Sequence, residues 1–224
     1  MLNLRECSGG RLGVLISGSE TQRHVGFHIQ EGAVPELIHL GWHHKLMNNS
    51  PDEYVARLGP FKAFECSNFL DEQLEDIVSF IKTVWRKNQN RVPYGIGSDN
   101  FALFFDGEGD VANRSPGSGL TCATFLMSIF ASQLYPVIDE SSWATRESDK
   151  DWQGHVLDTL LATVPNIGEH VAEQRKQVGV AFRYRPEEVA SSAAIYDDEP
   201  IVFDEAVKNG AELVEALKAS GVLV

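Results

Sequence analysis

Cysteine is scarce in this chain of 224 residues: Cys7, Cys66 and Cys122 are too few and too scattered for a disulfide framework or a four-cysteine zinc site. A reducing compartment is the default that follows, and a cytoplasmic protein is expected. Basic residues are the minority charge. The 19 Lys and Arg against 32 Asp and Glu leave a formal net charge of −13, which argues against nucleic acid or anionic membrane as a general partner. No run approaches the roughly 20 apolar residues of a membrane span. The first residues, MLNLRECSGGRLGVLISG, lack the basic start and sustained apolar stretch of a secretory signal. Repeats, low-complexity tracts, a GxGxxG turn, a P-loop and an HExxH helix are also missing. No cofactor and no metal are expected.

What is present suits one globular domain over residues 1–224, with 137–224 a mainly helical C-terminal extension packed on it. Hydrophobic residues make up 43% of the chain, enough for a substantial core. Arg23 to Gln30 (RHVGFHIQ) alternates, with Val25, Phe27 and Ile29 on one side and His24, Gly26, His28 and Gln30 on the other, the pattern of a half-buried strand. Residues 11–17, 36–41 and 61–66 read as further strands. Ser50 followed by Pro51 predicts a capped short helix over 51–58. Apolar residues at 70, 74, 77, 78, 81 and 85 predict a longer helix. A loop rich in Gly, Ser and Pro (106–119) then delivers Leu120-Thr121-Cys122 into another helix, with Thr121 or Ser118 as its cap. Helices follow at 151–164 and 167–177, a strand at 178–184 (VGVAFRY), a short helix after Pro186 and a last helix at 204–219. Strands and helices in separate runs define an α+β class with an antiparallel sheet.

The chemistry-bearing candidates are Cys122, His24 and His39. A thiol attacks as thiolate, and a helix start lowers its pKa because free backbone N–H groups favour the anion. His24 and His39 occupy the non-apolar sides of consecutive strands. If these strands pair antiparallel the two rings are neighbours, and one can serve as base while the other orients it. The opposing reading is a small core cysteine and two ordinary strand histidines. A metal site on His24, His28, His39, His43 and His44 fits less well, because i and i+4 on a strand lie roughly 13 Å apart.

The segment His24-Val25-Gly26-Phe27-His28-Ile29-Gln30 followed by Leu37-Ile38-His39 resembles the paired strands of NlpC/P60-type papain-like cysteine hydrolases. Leu120-Thr121-Cys122-Ala123-Thr124-Phe125 is similar to that family's nucleophile helix start, and Pro93-Tyr94-Gly95-Ile96-Gly97 to the stretch before it. The cysteine here follows the histidines, an order that matches the circularly permuted branch, which includes lecithin–retinol acyltransferase-like proteins. Arg183 to Ser191 resembles a proline-led helix of permuted members. Thr121, Ala123 and His28 depart from the family's usual Asp or Tyr, Ser and Tyr.

The resemblance implies a permuted papain-like domain with Cys122 as nucleophile, His24 as base and His39 as its orienting partner. The backbone N–H of Cys122 would be an oxyanion donor. Tyr94, His28 and Trp42 are candidates for lining the substrate cleft. The implied reaction is hydrolysis of an amide or peptide bond in a peptide-like or acylated substrate, through a thioacyl-enzyme. Acyl transfer by the same pair, or a non-catalytic binding module on the same fold, are the alternatives.

Overall fold

The computed structural model describes residues 2, 4–97, 100–112 and 115–223. It shows an α+β fold. Strands β1 (Leu12–Gly18), β2 (Arg23–Ile29), β3 (Glu36–Trp42), β4 (Lys45–Asn49) and β5 (Phe61–Glu65) form one antiparallel sheet in the order β4-β3-β2-β1-β5. Helix α1 (Pro51–Leu58) lies between β4 and β5 in the chain, and α2 (Asp71–Asn88) follows β5. Then come α3 (Cys122–Ser132), α4 (Asp149–Thr163), α5 (Gly168–Arg175), α6 (Pro186–Ile195) and α7 (Phe203–Ala219). None of these helices is long and apolar enough to cross a membrane.

The alternation of the strands sorts the sheet into two unlike faces. Val14, Ile16, Val25, Phe27, Ile29, Ile38 and Leu40 are buried in the main core with α2, α3 and α6. Phe27 packs edge-on to Phe125 of α3 at 5.9 Å between ring centroids, and on Phe130 at 5.6 Å. Fully burying each such ring contributes roughly 1.5–3 kcal/mol, so α3 is held firmly against β2. The opposite face carries a smaller cluster of Leu15, Leu37 and Tyr54, covered by α1. That helix starts where Ser50 and Glu53 cap one another reciprocally: the Glu53 N–H donates to the Ser50 hydroxyl and the Ser50 N–H to the Glu53 carboxylate.

Within residues 137–224, α6 packs directly on β1, β2 and α3, and α7 backs it. Pro186 opens α6 as expected. The strand expected at 178–184 does not form. Residues 176–180 turn instead, with Gly179 at φ +77° and the Val180 and Ala181 N–H groups both donating to the Gln177 carbonyl. The apolar side chains that suggested alternation, Val180 and Phe182, are exposed. Strand β4 has no counterpart in the sequence reading.

Candidate active site

Thr121 is the N-cap of α3 and Cys122 its first residue. The Thr121 hydroxyl accepts the Thr124 N–H at 3.1 Å, and the Thr124 hydroxyl accepts the Thr121 N–H at 2.8 Å. This reciprocal cap satisfies two of the free N–H groups at the helix start. Residues 93–95 run parallel beside Leu120, with the Leu120 N–H bonded to the Pro93 carbonyl and the Gly95 N–H to the Leu120 carbonyl. Gly119 permits that approach, since a Cβ on it would lie 2.8 Å from the Gly95 nitrogen. Tyr94 is thereby set against Cys122, whose backbone N–H acts on the Tyr94 hydroxyl.

His24 and His39 meet on the α1 face of the sheet. His39 stands across from Gly26, where an added Cβ would come within 2.7 Å of the His39 Cβ. The His39 ring therefore leans over the glycine toward His24, and His24 Nε2 lies 2.9 Å from His39 Nδ1. The second ring nitrogen of His39, Nε2, lies 3.1 Å from Asn49 Oδ1 at the end of β4. The Asn49 side-chain oxygen can only accept, so His39 Nε2 is the donor to it. The proton pattern of the chain follows. His39 donates from Nε2 and accepts at Nδ1; His24 donates from Nε2 and keeps its lone pair on Nδ1.

Cys122 belongs to the other face of the sheet, yet it shares a cavity with His24. Strands β2 and β3 pair only at Phe27↔Ile38, His28↔Leu37 and Ile29↔Glu36. Past Phe27 the ladder stops, and the Val25 N–H there favours the Cys122 thiolate. Both Cys122 and His24 line a cavity of about 580 Å³ at this opening. Trp42 and Tyr94 line it as well, their ring centroids 4.7 Å apart. A stripe of α4 forms the opposite wall, through Trp152, His155, Val156, Thr159 and Thr163. That stripe has the helical spacing of one face, and Trp42 Nε1 donates to Thr163 Oγ1 across the cavity at 3.3 Å.

His28 does not join this group. It faces the same side of the sheet as His24, but near Glu65 and outside the cavity. His43 accepts the Tyr94 N–H, and His170 lies 2.9 Å from the Tyr94 carbonyl, so both act on the Tyr94 backbone. Among the described residues no group of three or more His, Cys, Asp and Glu could hold a metal ion.

Electrostatics differ from the sequence expectation in two respects. The N–H groups of Val25, Ala123 and Cys122 do favour the Cys122 thiolate, but burial outweighs them and the thiol is pushed up to about 11. Burial likewise lowers His24 to about 3, with the neighbouring His39 adding to the shift. The resting groups are thus a neutral thiol and a neutral imidazole. Desolvation penalises either ion alone; a thiolate and an imidazolium formed together attract, which offsets much of that penalty. The Cys122 N–H expected to serve as oxyanion donor is engaged by its own sulfur and by Tyr94. Burial raises the Tyr94 pKa, so its hydroxyl proton remains available to donate into the cavity.

The sequence reading missed Asn49, because it assigned no strand to 45–49. Replacing Asn49 by leucine removes the acceptor that sets the His39 tautomer. The expected result is a loss of about tenfold in any reaction that uses His24 as a base, with little change in the affinity of ligands for the cavity. A saturation curve for wild-type and variant protein separates the two.

Compared with known proteins, the chain matches no family model, no curated protein and no solved structure. Fold and site therefore define it only as an α+β protein with a buried cysteine and one member of a hydrogen-bonded histidine pair lining one cavity.

Proposed function

We propose that the protein is a thiol-dependent acyl hydrolase of the permuted papain-like type, cleaving an amide or peptide bond. The observation that carries the reading is the hydrogen-bond chain from Asn49 through His39 to His24. It leaves the His24 Nδ1 lone pair outside the chain, on a residue that lines the same cavity as Cys122. His24 Nδ1 takes the thiol proton as sulfur attacks the carbonyl carbon, and the tetrahedral oxyanion receives the Tyr94 hydroxyl. The imidazolium returns its proton to the leaving amine, and the thioacyl group remains on Cys122. Water, deprotonated by the same nitrogen, then releases the acid. No cofactor enters these steps.

The test uses p-nitrophenyl acetate. Thiol attack releases p-nitrophenolate in a burst of one equivalent per chain and leaves one acetyl group on Cys122, seen by intact mass and lost on standing. The same burst from a Cys122→Ala protein would refute the proposal. Cys7, which burial raises to about 12, and the fully buried Cys66, also raised, should remain unacylated.

A further inference from the structure

The chain is strongly acidic, yet the cavity beside Cys122 is lined by Arg23 and Arg183 and by no Asp or Glu among the described residues. The two arginines are not equivalent. Arg23 is spent on Glu187, which accepts its Nε at 2.7 Å and its Nη2 at 2.8 Å. Among the described residues Arg183 makes a single guanidinium hydrogen bond, from Nη1 to Asp149 Oδ1 at 3.2 Å. Asp149 is already shared with Arg146 and Arg185, at 2.9 Å and 2.8 Å. Arg146 also takes Glu188. Four guanidinium groups (Arg23, Arg146, Arg183 and Arg185) thus share three carboxylates, which leaves one positive charge over.

Arg183 and Arg185 each bury an Nε–H without a partner among the described residues, but of the two only Arg183 lines the cavity. Its guanidinium lies 3.9 Å above the Trp152 ring, which also lines the cavity. That stack fixes the plane of the donors. The charge is felt at Tyr94, the residue that touches the Cys122 N–H. A half-buried cation with an idle, buried Nε–H is incompletely satisfied, and an anion entering the cavity would complete it.

Resting on the acyl-hydrolase reading, we infer that Arg183 is an anion subsite beside Cys122, and that the substrate presents a carboxylate to it near the bond that is cut. A carboxylate matches the planar guanidinium fork, and it is the anion that a peptide-like substrate brings, at its C-terminus or on an acidic side chain. The excess charge then selects acidic acyl donors over neutral ones of the same shape.

The experiment compares iodoacetate with iodoacetamide, which differ in one charged group. In each case the Cys122 sulfur bonds to the methylene carbon, iodide leaves, and the thiol proton passes to His24. The iodoacetate-to-iodoacetamide rate ratio at Cys122 should be about tenfold higher in wild-type protein than in Arg183→Gln, with Arg183→Lys between them and the ratio at Cys7 constant. An iodoacetamide rate preserved in Arg183→Gln shows that the cavity is intact. A ratio that Arg183→Gln leaves unchanged overturns the subsite while the cysteine–histidine reading stands. A Cys122 no more reactive than Cys7 toward either reagent overturns both. Should Arg183→Gln fail to fold, wild-type protein decides. Acetate should protect Cys122 from iodoacetamide and acetamide should not; equal protection counts against the subsite.

Discussion

Replacement of His24 by alanine is expected to slow acylation of Cys122 by p-nitrophenyl acetate by about 10²–10⁴-fold, the usual contribution of a positioned base. The pH dependence tells a lost base from a disturbed fold. Because burial holds His24 near 3, its nitrogen is free to accept a proton at any higher pH. The wild-type rate should then be flat from pH 5 to 8, without the acid limb near 6.5 that an ordinary histidine would give. In His24→Ala only the spontaneous thiolate remains. With the thiol near 11, its population rises about tenfold per pH unit throughout this range, so the residual rate should climb with unit slope. His39→Ala should fall between the two, at about 10–100-fold below wild type, since it removes the group that fixes the His24 tautomer. A His24→Ala protein with wild-type rate and a flat profile would mean that the imidazole has no part in thiol activation.

The parts of this site that were legible in the sequence are those that local chemistry dictates. Alternation in Arg23 to Gln30 placed His24 opposite Val25 and Phe27, and the strand forms over Arg23–Ile29. Ser50 and Pro51 fixed the start of α1, and the Gly/Ser/Pro loop the start of α3. Strand β4 was illegible because KLMNN is short and polar, without an apolar alternation; β3 recruits it across the turn at His44, φ +56°. Asn49 was lost with it. Residues 178–184 misled in the opposite sense. Val178, Val180 and Phe182 alternate, but that segment is a connector that brings Arg183 to the cavity. The Cys122 pKa is the same lesson in electrostatics. The helix start acts on the thiolate in the expected direction, and burial by distant residues wins. Tertiary context decided all three.

The same burial makes the protein acid-sensitive. Five of its seven histidines, His24, His28, His39, His43 and His44, have pKa values lowered by desolvation, His24 to about 3 and His43 to about 4. A folded-state pKa below the unfolded value of about 6.5 means that the unfolded chain binds protons first. Stability is then fully present above pH 6.5 and is lost as the pH falls toward the folded values. Each histidine still neutral in the fold contributes up to about 1.4 kcal/mol per pH unit of this loss. From pH 6.5 to 4.5, His24 and His43 together should remove about 4 kcal/mol, a large share of the 5–15 kcal/mol typical of a domain. The carboxylates with lowered values, such as Glu65 and Asp149, act mainly at lower pH. Two effects oppose the loss. Burial raises the Glu140 carboxyl, so the folded chain binds that proton first as the pH falls. The net charge of −13 shrinks toward zero near the pI of about 4.9, which relieves self-repulsion. Comparison of wild type with His24→Asn cancels both effects, since the two proteins carry the same Glu140 and the same surface charge. Urea denaturation at pH 6.5, 5.5 and 4.5 should show the variant losing about 1 kcal/mol less per pH unit than wild type. Parallel stability curves for the two proteins would mean that His24 titrates alike in the folded and unfolded chain, and that the neutral, lone-pair-bearing imidazole assigned to it is not there.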